Sequence, residues 1–386
     1  MNNFMRPFFR LSPSLQIYVA FALYAFAMAS IFPRMGNLQT GMGVSKSALA
    51  LGLIGTPFGT LISITFAPPL LERVGHRLVL LAGIPLIAII FAIAVHAPSP
   101  LVLFLLLIPV GFVIGCVEII VNVEADRTEH ALGYRIMNRC HAFWSLGFFA
   151  ASFFGAWLAS INISTQLHLA IVVPLVFASV LLTLGQFNPA EERFAEKTDK
   201  KPRFAIPSMP ILALFAVTSS AMLLEGASMD WSAIYMRDIF NAGSFLAGFA
   251  VAVAAISQAT ARFFADPFID RYSPVGVART LLVLLFLGCL TVFLSTNPIV
   301  SLIGFAAIGI GNSAIFPLAI SAAAQRQDRS PAINVASLVQ LSFTMFLLGP
   351  PLLGFVADHL GIRYSFGIAL PLVGLGLLMS KTLRKS

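Results

Sequence analysis

Runs without a single Asp, Glu, Lys or Arg dominate the chain: Leu11–Pro33, Ser47–Leu71, Leu78–Val117, Ala142–Ala190, Phe204–Leu224, Thr280–Gln325, Ser330–Ala357 and Tyr364–Ser380. Within them apolar residues follow one another without the alternation of a half-buried strand, which predicts helices that are apolar all round. Each run is long enough to cross the hydrocarbon layer of a bilayer, which takes ~20 residues of helix. Three runs are of double length and break at His96-Ala97-Pro98-Ser99-Pro100, between Ser160 and His168, and at Ser295-Thr296-Asn297-Pro298, where polar residues mark tight hairpins. With the segment around 245–265, twelve helices are expected: 14–35, 47–71, 78–96, 101–124, 137–159, 166–187, 209–236, 244–265, 280–296, 299–324, 332–357 and 363–381. A transmembrane barrel is disfavoured by the same pattern, because its strands alternate with period two.

Composition agrees: 58% of residues are hydrophobic, only 10% are charged and the mean hydropathy is +0.91, whereas soluble domains average roughly 25% charged. The formal net charge of +8 would suggest nucleic acid if it were clustered on a soluble face. Under the twelve-helix topology, however, all but Arg34, Lys46, Arg237 and Arg363 of the 24 Lys and Arg residues fall on one side. The positive-inside rule makes that side cytoplasmic, so both termini are expected in the cytoplasm of a bacterial inner membrane, and no nucleic-acid partner is implied. Cys116, Cys140 and Cys289 fall in or beside helices with neither pairing nor metal-ligand spacing, and read as small apolar fillers. The first apolar run lacks a cleavage pattern and reads as a permanent helix.

The one sizeable polar stretch, Asn188 to Arg203, divides the helices six and six. The expected organisation is therefore a six-helix bundle over 1–190, a cytoplasmic linker over 191–208 and a second bundle over 209–386. A repeat supports the division: Glu72-Arg73-Val74-Gly75-His76-Arg77 follows the second helix, and Asp270-Arg271-Tyr272-Ser273-Pro274 follows the eighth. Paired six-helix halves around a central site are a recurrent transporter plan. The acid-Arg-x-Gly-x-Arg loop resembles the cytoplasmic loop motif of the major facilitator superfamily. The stretches Glu118-Ile-Ile-Val-Asn122, Met137 to Gly147 and Glu225 to Tyr235 resemble a bacterial branch related to fucose-permease-like carriers. The resemblance implies an all-α membrane protein of two pseudo-symmetric six-helix bundles. Some positions depart from the family pattern: Pro68 and Asp266 stand where a glycine precedes the loop acid, Glu118 occupies a helix where drug antiporters carry arginine, and the fifth helix has no Gly-Pro pair.

An ionised carboxylate within a bilayer costs at least ~2.5 kcal/mol on insertion scales, so intramembrane acids point to a cavity, a partner or a bound proton. Glu118 lies ~12 Å inside the fourth helix, counted from Asp126 at 1.5 Å per residue. Asn122 follows one turn later and His141 begins the antiparallel fifth helix, so the three are expected to form one polar cluster serving proton coupling or substrate contact. A hydrogen bond between helices is the bland reading of Glu118, and an interfacial marker that of His141. Glu225 lies ~24 Å along the seventh helix from Met209, where a cavity-facing role is expected. Arg34 and Asp230 occupy equivalent heights in helices one and seven and are candidates for a salt bridge closing the outer mouth, against plain snorkelling to water. Trp231 and Tyr235 read as interface anchors. Glu72, Arg73, Arg77, Asp270 and Arg271 are expected to gate the cytoplasmic side through contacts with helix ends.

No Walker-type loop, nucleophile elbow or metal-ligand spacing appears, so neither an enzyme, a cofactor nor a metal is implied. The expected function is secondary transport of a small polar organic solute, sugar-like by the resemblance, by alternating access coupled to protons in a monomer. Two alternatives stay open: proton-driven efflux of organic cations or drugs, and a receptor or enzyme on a transporter-like fold.

Overall fold

The computed structural model describes residues 11–134, 136–191 and 206–384, without the side chains of Asn138, Asp266, Asp270, Pro331 and Ala332. Most of the linker expected at 191–208 therefore lies outside the described residues. Among the described residues twelve helices are long and apolar enough to cross a membrane: α1 Pro13–Met42, α2 Lys46–Phe66, α3 His76–Ala94, α4 Pro100–Leu132, α5 Arg139–Ser160, α6 Thr165–Leu184, α7 Met209–Asp230, α8 Ser244–Phe263, α9 Pro274–Leu294, α10 Pro298–Ala324, α11 Ile333–His359 and α12 Ile362–Leu383. The chain is thus an all-α, multi-pass membrane protein of two pseudo-symmetric six-helix bundles.

Local chemistry sets where the helices start. Ser12-Pro13, Ser99-Pro100, Asn297-Pro298 and Ser330-Pro331 each place a side-chain oxygen at the N-cap and a proline just inside. Proline at that position gives up an N–H that has no helical acceptor, and the cap oxygen takes one of the others, as in Asn297 Oδ1 receiving the Ile299 N–H at 2.8 Å. This matters most at the short hairpins, because no backbone group can be left unpaired in hydrocarbon. Left-handed residues end three of the helical stretches, Gly43 at φ 64°, Gly133 at φ 73° and Asn241 at φ 48°.

Several helices depart from the expected course: α4 runs on to Leu132 rather than ending at 124, α9 begins at Pro274 rather than 280, and α2 ends at Phe66 rather than 71. Helix α1 passes through a 3-10 turn at Phe32–Arg34 and continues to Met42. The expected seventh helix stops at Asp230, and the chain turns at Trp231 into a short helix, Ser232–Phe240. Trp231 and Tyr235 are not interface anchors: both are fully buried, and the Tyr235 hydroxyl donates to the Val292 carbonyl at 2.5 Å. Two hydroxyl or indole tips that find space inside the bundle had only their sequence position to suggest an interface. Helix α10 is interrupted at Ser313–Ala314.

Within the first six helices, α2 lies against α4 and α1 against α5; in the second six, α9 lies against α10 and α7 against α11 and α12. The two sets meet along α5 with α8 and along α2 with α11. Outward-facing leucines such as Leu182 and Leu378, 75% and 76% exposed, coat the surface. With apolar lipid outside, close packing must hold the helices together. At the α2–α4 crossing a Cβ on Gly111 would stand 1.9 Å from the Thr56 carbonyl oxygen, and one on Gly59 2.0 Å from that of Ile108.

Gly111→Val should therefore force the two backbones apart, costing ~1–3 kcal/mol as an overpacked core does. The expected outcome is a lower thermal midpoint or a lower yield of monodisperse protein in detergent. Gly374→Ala, which meets nothing within 4 Å, should leave both unchanged.

Candidate functional site

A cleft with an empty volume of about 370 Å³ lies between the two bundles, walled by Trp144, Ser145 and Phe148 of α5 and by residues of α7, α8 and α10. Among the described residues Glu225 of α7 is its one carboxylate. The Gln258 amide donates to Glu225 Oε1 at 3.0 Å. Arg262, one turn further along α8, acts on Glu225 electrostatically. The four-residue spacing puts Gln258 and Arg262 on one face of the helix. The interruption of α10 leaves its carbonyls without helical donors, and Arg262 Nε takes that of Ser313 at 2.9 Å. Asn312, 3% exposed, lines the cleft beside it. In the amide orientation its surroundings favour, it donates to the Ala221 carbonyl and accepts from the Glu225 N–H, each at 3.3 Å.

Glu118 stands in the first bundle. Its Oε1 receives the Asn122 amide at 3.1 Å, while the same amide also reaches the Glu118 carbonyl at 2.8 Å. Tyr24 of α1, 2% exposed, interacts with the same carboxylate. The sequence missed Tyr24 because an aromatic amid α1 looks like filler; its hydroxyl was the only signal. Of the expected cluster, the structure joins Glu118 and Asn122, with Tyr24 as a further member. The His141 ring instead packs edge-on against Phe21, centroids 5.3 Å apart, and feels the charge of Arg262 across the bundle interface.

The expected Arg34–Asp230 salt bridge is not formed. Arg34, 2% exposed, turns into its own bundle, where Nε donates to His168 Nδ1 at 3.3 Å and Nη2 to the Ile163 carbonyl at 3.1 Å. The 3-10 turn carries its side chain toward the start of α6, and Asp230 faces α11 instead. The end of the molecule carrying these residues is closed by other groups. Arg237 donates to the Gly36 carbonyl and to Gln39 Oε1, both at 2.7 Å, and Lys46 pairs with Asp238 at 2.9 Å. The Asp358 carboxylate, at the end of α11, accepts the first N–H groups of α2, from Lys46 at 3.0 Å and Ser47 at 2.8 Å. There a negative charge meets the positive end of a helix dipole. Nearby, a Cβ on Gly354 would lie 2.5 Å from that of Ala50.

At the opposite, basic end, Glu72 and Arg73 are exposed, Arg77 donates to the Gly185 carbonyl, and Arg271 lies 5.3 Å from the Tyr272 ring centre. The Asp270 side chain lies outside the described residues. A residue not singled out from the sequence, Glu124, is fully buried there. It pairs with His76, lies 3.6 Å from Arg127 and receives the Ala190 N–H at 2.9 Å, tying the end of the first bundle to the loop motif. The only available signal was an acid and a histidine at matching heights in helices that also needed to be neighbours.

Two six-helix bundles closed at one end over a central cleft define the class of membrane transporters that work by alternating access. The sequence profile described as Major Facilitator Superfamily matches residues 17–326 and 213–385, and the chain belongs to that superfamily. An uncharacterised MFS-type transporter of Yersinia pestis is 22% identical over 357 residues, 92% of each chain. Among solved structures, the nucleoside transporter NupG shares 18% identity with a TM-score of 0.65, over 97% of this chain and 98% of that one. The D-xylose-proton symporter shares 13% with a TM-score of 0.69, over 96% of both. These identities speak for the fold.

Charge-assisted hydrogen bonds contribute ~1.5–3 kcal/mol each, so Asp358→Ala combined with Arg237→Ala should raise the population open at this end by roughly tenfold or more. Distances between spin labels placed on the ends of α2 and α11 would check this. An unchanged distance distribution would show that the apolar contacts close the mouth unaided.

Proposed function

We propose that this transporter moves a small polar, sugar-like solute across a bacterial inner membrane, coupled to protons, with both termini cytoplasmic. The observation that carries the reading is the pair of partly accessible carboxylates, Glu118 in the first bundle and Glu225 in the second, each met by a side-chain amide, with Glu225 lining the shared cleft. In this reading Glu225, matched by Gln258 and Arg262, accepts hydrogen bonds from solute hydroxyls, and Trp144 and Phe148 offer flat apolar faces to a sugar ring. Glu118 has amide and hydroxyl neighbours and, among the described residues, no cation bonded to it, so it is suited to gain and lose the coupling proton. His141 of the first bundle and Arg262 of the second, which act on each other electrostatically, would relay charge state between the bundles. The one-sided distribution of Lys and Arg supports the orientation. Names of fold neighbours, a nucleoside transporter and a xylose symporter, agree with a hydroxyl-rich solute.

The energetic logic of coupling is that a proton and a solute stabilise the same closed arrangement. Rocking of the bundles about α5–α8 and α2–α11 would then present the cleft to each side in turn. The closed mouth at Arg237 and Asp358 corresponds, on this orientation, to the outer side.

Proteoliposomes given an imposed pH gradient and a panel of radiolabelled pentoses, hexoses and nucleosides provide the test. Glu118→Gln should abolish accumulation driven by the gradient while keeping solute exchange at zero gradient. Glu225→Gln should weaken solute binding tenfold or more in both modes, since a charged hydrogen bond is lost. Gradient-driven accumulation by Glu118→Gln at the wild-type rate would refute proton coupling there, and transport by His141→Gln with an unchanged pH profile would remove His141 from the relay.

A further inference from the structure

We infer that Asp230 is a second proton-binding carboxyl, housed in its own cleft between α7 and α11 and controlling how those helices pack. The inference rests on the proton-coupled reading above and adds a site in the second bundle that the central cleft does not contain.

Asp230 ends α7, partly exposed, into a cleft of about 200 Å³ empty volume shared with Leu223, Met345, Phe346, Pro350 and Leu353. No hydrogen bond or ion pair to its carboxylate is found among the described residues, and no charged or titratable side chain of α7, α11 or their neighbours faces it. The contrast with Glu225, five residues earlier on the same helix, is chemical. Glu225 has an amide donor and a guanidinium nearby and is matched as an anion; Asp230 has neither. An unmatched carboxylate among Leu, Met and Phe side chains is costly as an anion and far less so as the neutral acid.

Two further features bear on what the site holds. Two glycines open it: a Cβ on Gly226 would meet only the Phe346 ring, at 3.7 Å, and one on Gly349 only Leu223, at 3.5 Å. Pro350 and Pro351 interrupt the hydrogen-bond ladder of α11. Proline has no N–H, so the carbonyls four residues before them, on Phe346 and Leu347, lose their helical donors. A protonated carboxyl can donate where a carboxylate cannot, and a carbonyl deprived of its donor on a residue lining the cleft is a natural acceptor. A metal cation fits poorly, because hard cations take about six oxygen ligands and the rest of the lining is apolar. The consequence is mechanical. With the proton in place α7 and α11 can stay together over the cleft; without it the carboxylate needs water, and α11 must give way at Gly349-Pro350-Pro351. Because α11 also carries Asp358, which caps α2 at the closed mouth, this movement would reach the seal between the bundles.

Infrared difference spectra of the full-length protein in lipid nanodiscs, titrated upward in pH in KCl, read the site without any solute. The expected result is a carboxylic-acid C=O band that wild type loses on deprotonation, that is missing in Asp230→Asn, that moves in Asp230→Glu, and that survives in Glu118→Gln and Glu225→Gln. A wild-type titration that Asp230→Asn reproduces in full would overturn the inference, as would an unmoved band in Asp230→Glu should the asparagine variant fail to fold. Loss of the band on replacing K⁺ by Na⁺ at fixed pH would also overturn it, in favour of a cation site. Failure of the coupling scheme itself is distinct: flux of the pentose and nucleoside panel would then ignore the pH gradient in wild type while the infrared band remained.

Discussion

Inside a bilayer no water stands by to satisfy a polar group, so a donor, acceptor or charge left without a partner in the protein is costly. The rest of this structure follows from that constraint. It makes the spans helical, puts Ser-Pro and Asn-Pro pairs at several of their starts, and leaves few carboxylates among them, most of them matched by side-chain or backbone donors. It also turns interruptions into binding opportunities. The break in α10 frees the Ser313 carbonyl, and Arg262 takes it; the same guanidinium then stands within electrostatic reach of Glu225 on one side and His141 on the other.

Such an arrangement links conformation to charge. Glu118, Tyr24 and Asn122 belong to the first bundle, Glu225, Gln258 and Arg262 to the second, and α5 carries His141, Trp144 and Phe148 along the seam. Any rocking of one bundle over the other changes the distance between Arg262 and His141 before it disturbs bonds inside either group. Charge states on the two sides can therefore favour one arrangement over another without new contacts being built.

The helices were legible because hydrophobicity in a membrane protein is a one-dimensional signal: a run of about twenty apolar residues has few other uses. Some bounds slipped where the backbone bends for tertiary reasons, at Phe32–Arg34 and Trp231, since a buried turn carries no mark in hydropathy, and others where a helix runs past its apolar stretch, as α4 does to Leu132. The site was legible in part. Acids within apolar runs announce themselves, which is how Glu118 and Glu225 were found. Their partners Tyr24, Gln258, Arg262 and Asn312 are residue types common at helix ends and faces, and only packing decides that they converge. The Arg34–Asp230 pairing failed because equal height along two helices says nothing about the direction in which side chains leave them. Arg34 leaves toward His168, Asp230 toward α11, and Arg237 reaches across to Gly36 and Gln39 instead.

The closed mouth is built largely from groups that solvent can replace. Arg237 grips a carbonyl and a glutamine amide, and Asp358 grips two backbone N–H groups, so after separation each side is hydrated rather than stranded. A seam made wholly of interlocked hydrocarbon would lose its cohesion abruptly and expose greasy surface on both lips. Reversible wetting lets this one part and rejoin many times over, which a carrier's turnover demands, and it places the speed of reopening under the influence of ionic strength and hydration more than of side-chain interlock.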